Sequence, residues 1–145
     1  CAMLLNLNKF KKRNLFDKNI FLYFEEFDLC KSIKNDKGSI YLSSELKVHH
    51  LGFKSSFSTN TKLKNEATKL KDWHWMWSLF YYNYKHFGIM TAYRIAITKF
   101  FSSIFKLFFS FIFFNKKKFL IHYYRLNGLF NAFLKRPSWL RPNNI

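Results

Sequence analysis

The spacing of apolar residues changes along this chain, and each change predicts an element. Residues 1–7 (CAMLLNL) alternate loosely and read as a β-strand. Asn8 to Arg13 is a basic turn or short helix. The aromatic run over 19–24 leads into a helix that starts near Glu25 and runs to about Lys34, with Phe27, Cys30 and Ile33 spaced to form one buried face. Asn35 to Gly38 is a turn, and Ile40-Tyr41-Leu42 and Lys47-Val48-His49 read as short strands. Residues 55–61 (SSFSTNT) form a polar linker.

The pattern beyond that linker is helical. Residues 62–86 form a helix whose second half is dense in Trp and Tyr, which suits a membrane interface or a packed aromatic core. Over 88–114, Thr91, Arg94, Thr98, Ser102, Lys106 and Ser110 make a polar stripe opposite an apolar face of Met90, Tyr93, Ile97, Phe100, Ile104, Phe108 and Phe111. Arg94, Lys99 and Lys106 interrupt it, so a helix lying in the headgroup region fits better than a spanning one. An amphipathic helix packed on its own protein accounts for the pattern equally well. Residues 119–134 continue as a helix, and the prolines of the tail RPSWLRPNN end it.

Charge narrows the partners. With 25 basic and 8 acidic residues, the net charge of +17 points to an anionic partner. Lys116-Lys117-Lys118 would favour an anionic leaflet. The bases are mostly Lys, in a chain whose Lys, Phe, Asn and Ile content is that of an A/T-rich coding sequence. Specific phosphate recognition favours Arg forks, so nucleic acid is not the expected partner. Cys1 and Cys30 have neither metal-site spacing nor a framework to pair in, which fits a reducing, cytoplasmic setting.

Against that charge, Glu25, Glu26 and Asp28 lie within four positions, at the end of an aromatic run, and His49-His50 follows further on. Carboxylates at the lip of an apolar segment, with a histidine returning to them, suit proton transfer or metal binding. Asp28 also suits the first turn of a helix, where the dipole favours negative charge.

These residues carry a resemblance. LFDKNIFLYFEEFDLCKSIK at 15–34, KVHHLGFKSS at 47–56 and YYNYKHFG at 81–88 resemble, in order and spacing, the C-terminal half of the family 2 glycosyltransferase catalytic domain, especially its bacterial rhamnosyltransferase-like branch. Arg125-x-x-Gly128 and Arg141-Pro142 resemble the family's closing motif. The resemblance implies an α/β fold of the GT-A type over residues 1–56, as the C-terminal portion of a catalytic domain. Residues 57–145 would be a helical, membrane-associated extension. It further implies an inverting transfer of sugar from a nucleotide-sugar donor to a saccharide or lipid-linked acceptor, at the cytoplasmic face of a bacterial inner membrane. Glu26 would be the base, where the family has Asp, with Glu25 in support. His50 would bind a divalent metal (Mg or Mn) or the diphosphate, and Ser55 would contact phosphate. Phe53 stands where the family has a second glycine, so the loop near the phosphates must differ.

The Asp-x-Asp metal motif of the family is absent, and the first residue is Cys, so the sequence reads as a fragment lacking an N-terminal nucleotide-binding half. The rival expectation is a non-enzymatic, basic, amphipathic protein of membrane surfaces, which leaves the acidic cluster and His50 without a reason.

Overall fold

The computed structural model describes residues 3–10, 15–49 and 61–142. Among these the chain forms a short 3-10 turn (Leu7–Phe10) and four α-helices: α1 (Glu25–Asn35), α2 (Thr61–Phe87), α3 (Ile89–Ile112) and α4 (Lys116–Phe133). α2, α3 and α4 pack on one another in all three pairings.

The expected α/β fold is overturned, because no strand occurs among the described residues. A strand holds only where a neighbour takes up its backbone N–H and C=O groups. Residues 3–6 and 40–49 have the alternation without the neighbour, and their apolar side chains, Leu5 excepted, stay in solvent, Leu42 at 99% exposure.

The core is built around the middle of α2. Trp73, Met76, Trp77 and Phe80 meet Ala92 and Ala96 of α3, Leu129 and Ala132 of α4, and Leu140 of the tail. From Asp72 to Phe80 only Trp75 is exposed, because neighbours enclose α2 on nearly every side. Ser78 donates to Leu22 O (3.0 Å) from one flank, while His74 Nε2 bonds Leu140 O (2.8 Å) from another.

Two glycines have structural reasons. Gly88 alone joins α2 to α3 and does so at φ 85, a conformation L side chains rarely adopt. Gly128 lets α4 rest on the α2 backbone, since a Cβ there would lie 2.3 Å from Trp73 O. Beside it Arg125 Nε donates to Asp72 Oδ1 (2.8 Å), so the Arg125-x-x-Gly128 pair serves helix docking.

Elsewhere glycine is missing where helices commonly use it. α1, α3 and α4 all close in paired turns through a left-handed residue: Lys37 (φ 60), Phe114 (φ 50) and Lys135 (φ 54). In each, the next N–H reaches back five residues, as in Gly38 N to Ile33 O (2.8 Å), Asn115 N to Ser110 O (2.9 Å) and Arg136 N to Asn131 O (3.0 Å).

α3 turns its small residues inward. Ala92, Ala96, Ser103 and Ser110 are buried, whereas the apolar face read from the sequence (Met90, Ile97, Ile104, Phe108 and Phe111) is exposed, with Tyr93 and Phe100 reaching the bundle at its edge, so of its two readings the packed one does not hold for most of the face. On α1 the expected buried face is likewise displaced. Phe27 is 59% exposed, and the residues packed inward are Asp28 and Leu29.

Candidate functional site: the acidic turn of α1

Tyr23 and Phe24 precede α1 in the left-handed region (φ 64 and 69), and no side chain caps the helix. Such a conformation costs about 1–2 kcal/mol per residue and persists only where the surroundings hold it. Here aromatic packing does so. Tyr23 sits edge-on to Trp75 (5.4 Å between centroids), and Phe24 packs on Trp75, Tyr82 and Phe27. The chain then enters α1 with Glu25, Glu26 and Asp28 in its first turn, where the helix dipole favours them.

Asp28 points at α2 and is buried. Its two carboxylate oxygens accept from Lys85 Nζ at 2.8 and 2.9 Å, and Oδ1 also accepts from His86 Nε2 at 2.8 Å. Lys85 reaches Asp17 Oδ2 as well, at 2.7 Å. Tyr81 OH donates to the same Asp17 oxygen (3.0 Å) and accepts from Asn19 Nδ2 (3.0 Å). The result is one continuous network, Asn19–Tyr81–Asp17–Lys85–Asp28–His86, which fastens the segment before α1 and α1 itself to the end of α2.

Burial by itself would raise the Asp17 carboxyl. The Lys85 hydrogen bond and charge, the Asn19 backbone N–H and the Tyr81 hydroxyl outweigh it, so Asp17 stays below the usual carboxylate range. Lys85 is the mirror image. Burial would lower its ammonium, but hydrogen bonds and charge from Asp17 and Asp28 raise it.

Glu25 differs from its neighbours. It is half-buried, and its Oε2 is enclosed without a hydrogen-bond partner. Burial raises its carboxyl; the donation of its own backbone N–H counters in part, and the Glu26 charge raises it further. Glu25 and Asp72 also add to the burial that raises the Tyr23 phenol. Glu26 faces solvent.

Of the residues expected at the site, Glu25 and Glu26 share one turn, while His50 and Ser55 lie outside the described residues. Among the described residues no three His, Cys, Asp or Glu side chains gather as a metal site. The place where two carboxylates and a histidine converge is filled by the Lys85 ammonium. The described residues therefore do not fit a divalent metal. Sequence reasoning missed Asp17, Asn19 and Tyr81, and it left Lys85-His86 open as an anion-binding pair or a solvated face. A signal was available, since a rare acid among so many bases is apt to find one.

Compared with known proteins, the chain matches no family model, no curated protein and no solved structure.

Proposed function

We propose that this chain is the C-terminal portion of an inverting glycosyltransferase that moves sugar from a nucleotide-sugar donor to a saccharide or lipid-linked acceptor, at the cytoplasmic face of a bacterial inner membrane. Glu25, rather than Glu26 to which the resemblance gives that role, takes the proton from the acceptor hydroxyl. Glu26, one residue on and in solvent, meets the more polar part of the acceptor. The observation that carries the assignment is the half-buried Glu25 carboxylate, raised by burial and by the Glu26 charge, in the helical turn that directly follows the Tyr23–Phe24–Trp75 aromatic cluster. A general base works best with a pKa lifted toward the operating pH. Tyr23 and Phe24 pack on Trp75, which is itself exposed and available to the apolar side of a sugar, and Asp28, held by Lys85 and His86, keeps the acidic turn in place.

Support also comes from how the resembling stretches meet. Asp17 and Asp28 belong to one, Lys85 and His86 to another, and they close on each other across more than fifty residues of chain. His50 and Ser55 remain the proposed contacts for the donor diphosphate, by resemblance alone. A metal (Mg or Mn) would have to draw on residues beyond those described.

The test, made in the full-length protein that this C-terminal portion belongs to, is release of nucleoside diphosphate from a panel of nucleotide sugars, with a lipid-linked saccharide as acceptor. Glu25→Gln should lower turnover by about 10²–10⁴-fold, and Glu26→Gln should lower it less. Unchanged turnover in Glu25→Gln removes the base assignment. No release from any donor by the full-length wild-type protein removes the transferase reading; the C-terminal portion is expected to be inactive alone. The unpacked outer face of α3 favours a second reading, a non-enzymatic protein of membrane surfaces.

A further inference from the structure

α3 buries Ala92, Ala96, Ser103 and Ser110 against the bundle. Helical geometry then sets the opposite pole. Phe101, Phe105, Phe108, Phe109 and Ile112 occupy it, and all are exposed, Phe105 at 65%. Side chains of roughly 200 Å² each, about half exposed, make an apolar patch on the order of 500 Å². Phe113 and Phe114 extend it past the helix end, with Phe114 at 92% exposure. A monomer in water rarely carries such a surface without a use for it.

Charge identifies what covers it. Arg94 lies exposed in line with this face near the start of α3. Just past the aromatic end, Lys116, Lys117 and Lys118 form the first turn of α4 and are all exposed. That is the positive end of the α4 dipole, where ammonium groups are disfavoured unless an external anion meets them. No acidic side chain stands in the first turn of α4. An apolar strip ending in a lysine cluster complements the acyl region and headgroups of an anionic bilayer.

The mode of contact follows from the neighbours. α3 is long and apolar enough to cross a membrane by length and composition. Yet it packs along both α2 and α4, which carry Lys69, Lys71, Asp72 and Arg125. Crossing would take those charges into hydrocarbon, at a cost of several kcal/mol. We infer that α3 lies in the plane of an anionic membrane, with Phe101, Phe105, Phe108, Phe109 and Ile112 immersed and Lys116–Lys118 on the headgroups. The inference does not depend on the catalytic reading, because its readout is binding alone.

The test is co-sedimentation of the whole chain with vesicles of phosphatidylglycerol and phosphatidylcholine, or of phosphatidylcholine alone. Wild type should pellet with the anionic vesicles and resist high salt only in part. Lys116→Gln with Lys117→Gln and Lys118→Gln should weaken binding roughly hundredfold at low salt. Phe101→Ser with Phe105→Ser and Phe108→Ser should lose about tenfold or more at any salt while keeping its helical circular dichroism. Three results would overturn the inference: unchanged binding of the serine variant, wild type left in the supernatant, or wild type that stays in the membrane through alkaline carbonate extraction, as a spanning helix does. A fourth, a wild type that is dimeric without lipid and that the serine substitutions make monomeric, would overturn it by assigning the face to a second copy of the chain.

Discussion

α2 and α3 are both rich in aromatic residues, yet one turns them inward and the other outward. The difference lies in the polar handle and in the company of small residues. Trp73 and Trp77 of α2 are buried with their indole N–H groups satisfied, by Asn127 Oδ1 (2.7 Å) and Arg136 O (2.9 Å). Each joins apolar area to a hydrogen bond that works in only one arrangement of α4 and its tail. The α3 phenylalanines have no such group. Their helix approaches the bundle through Ala and Ser, and that close approach puts the large rings on the other side. Apolarity alone does not decide burial; the neighbouring surface must also offer a shape to fill.

The largest expected effect comes from forcing the two helices of the tight contact apart. Gly128→Val places carbon within 2.3 Å of a backbone oxygen that cannot move aside. It should cost about 3 kcal/mol or more in denaturant unfolding. Phe105→Ser, on the loose face, should stay within about 0.5 kcal/mol. If the two variants unfold alike, the contrast between the surfaces is wrong.

Next in size is Asp28→Asn. It leaves Lys85 and His86 facing a neutral amide in a largely buried site, and should cost about 2–3 kcal/mol. The released α1 should then exchange its amide hydrogens faster than α4 does.

Acid should act on the tight side of the molecule first. Burial lowers His74 from its ordinary 6.5, the bond to Leu140 O opposes this, and the Arg141 charge adds to it. His122 is lowered by burial and by the charges of Arg125, Lys106 and Lys118, against Asp72. A lowered folded pKa means the unfolded chain takes up protons first. Stability is thus full above 6.5 and is lost as pH falls through the folded values. Asp17, held low by Lys85, adds a second loss below the ordinary carboxylate value of 3.8. Melting temperature should therefore fall in two stages on acidification. Replacing His74 with Gln should shrink the first stage, and a first stage left intact would exclude this histidine as its source.

The smallest change should be a gain. Lys135→Gly relieves a left-handed residue at the end of α4 and should stabilise by about 0.5–1 kcal/mol, as should Lys37→Gly at α1. A loss at either position would mean that its side chain does more than end a helix. At Lys135 the cation–π contact with Tyr84 (5.7 Å) is the place to look.

Much of the helical order was legible in the sequence. The periodicity of 62–86, 88–114 and 119–134 locates α2, α3 and the body of α4, and the acidic turn marks the start of α1. These are local features, set by neighbours three and four residues apart. What failed was non-local. The Ile40–Leu42 alternation is real, but pairing is not written in the strand itself. On α3, hydropathy located an apolar face but could not say whether it packs or stays outward, because it says nothing of how closely two helices approach; the small residues Ala92 and Ala96 make the contact and the large rings stay outward. At the site, Asp17 and Lys85 stand 68 positions apart, so nothing in either neighbourhood announces the other.

The placement of the indoles has a spectroscopic consequence. Trp73 and Trp77 bond to α4 and its tail, and Trp139 of the tail bonds back to Asn131 of α4 at 3.1 Å. Trp75, half in solvent, faces the aromatic wall beside Glu25 instead. Intrinsic emission is therefore partitioned between the acidic turn of α1 and the contact of α2 with α4 and its tail. A red shift that leaves only the Trp75→Phe variant unchanged would report movement of the acidic turn, and one that persists in that variant would report α4 lifting off. The chain carries a built-in optical gauge for each event, with no label attached.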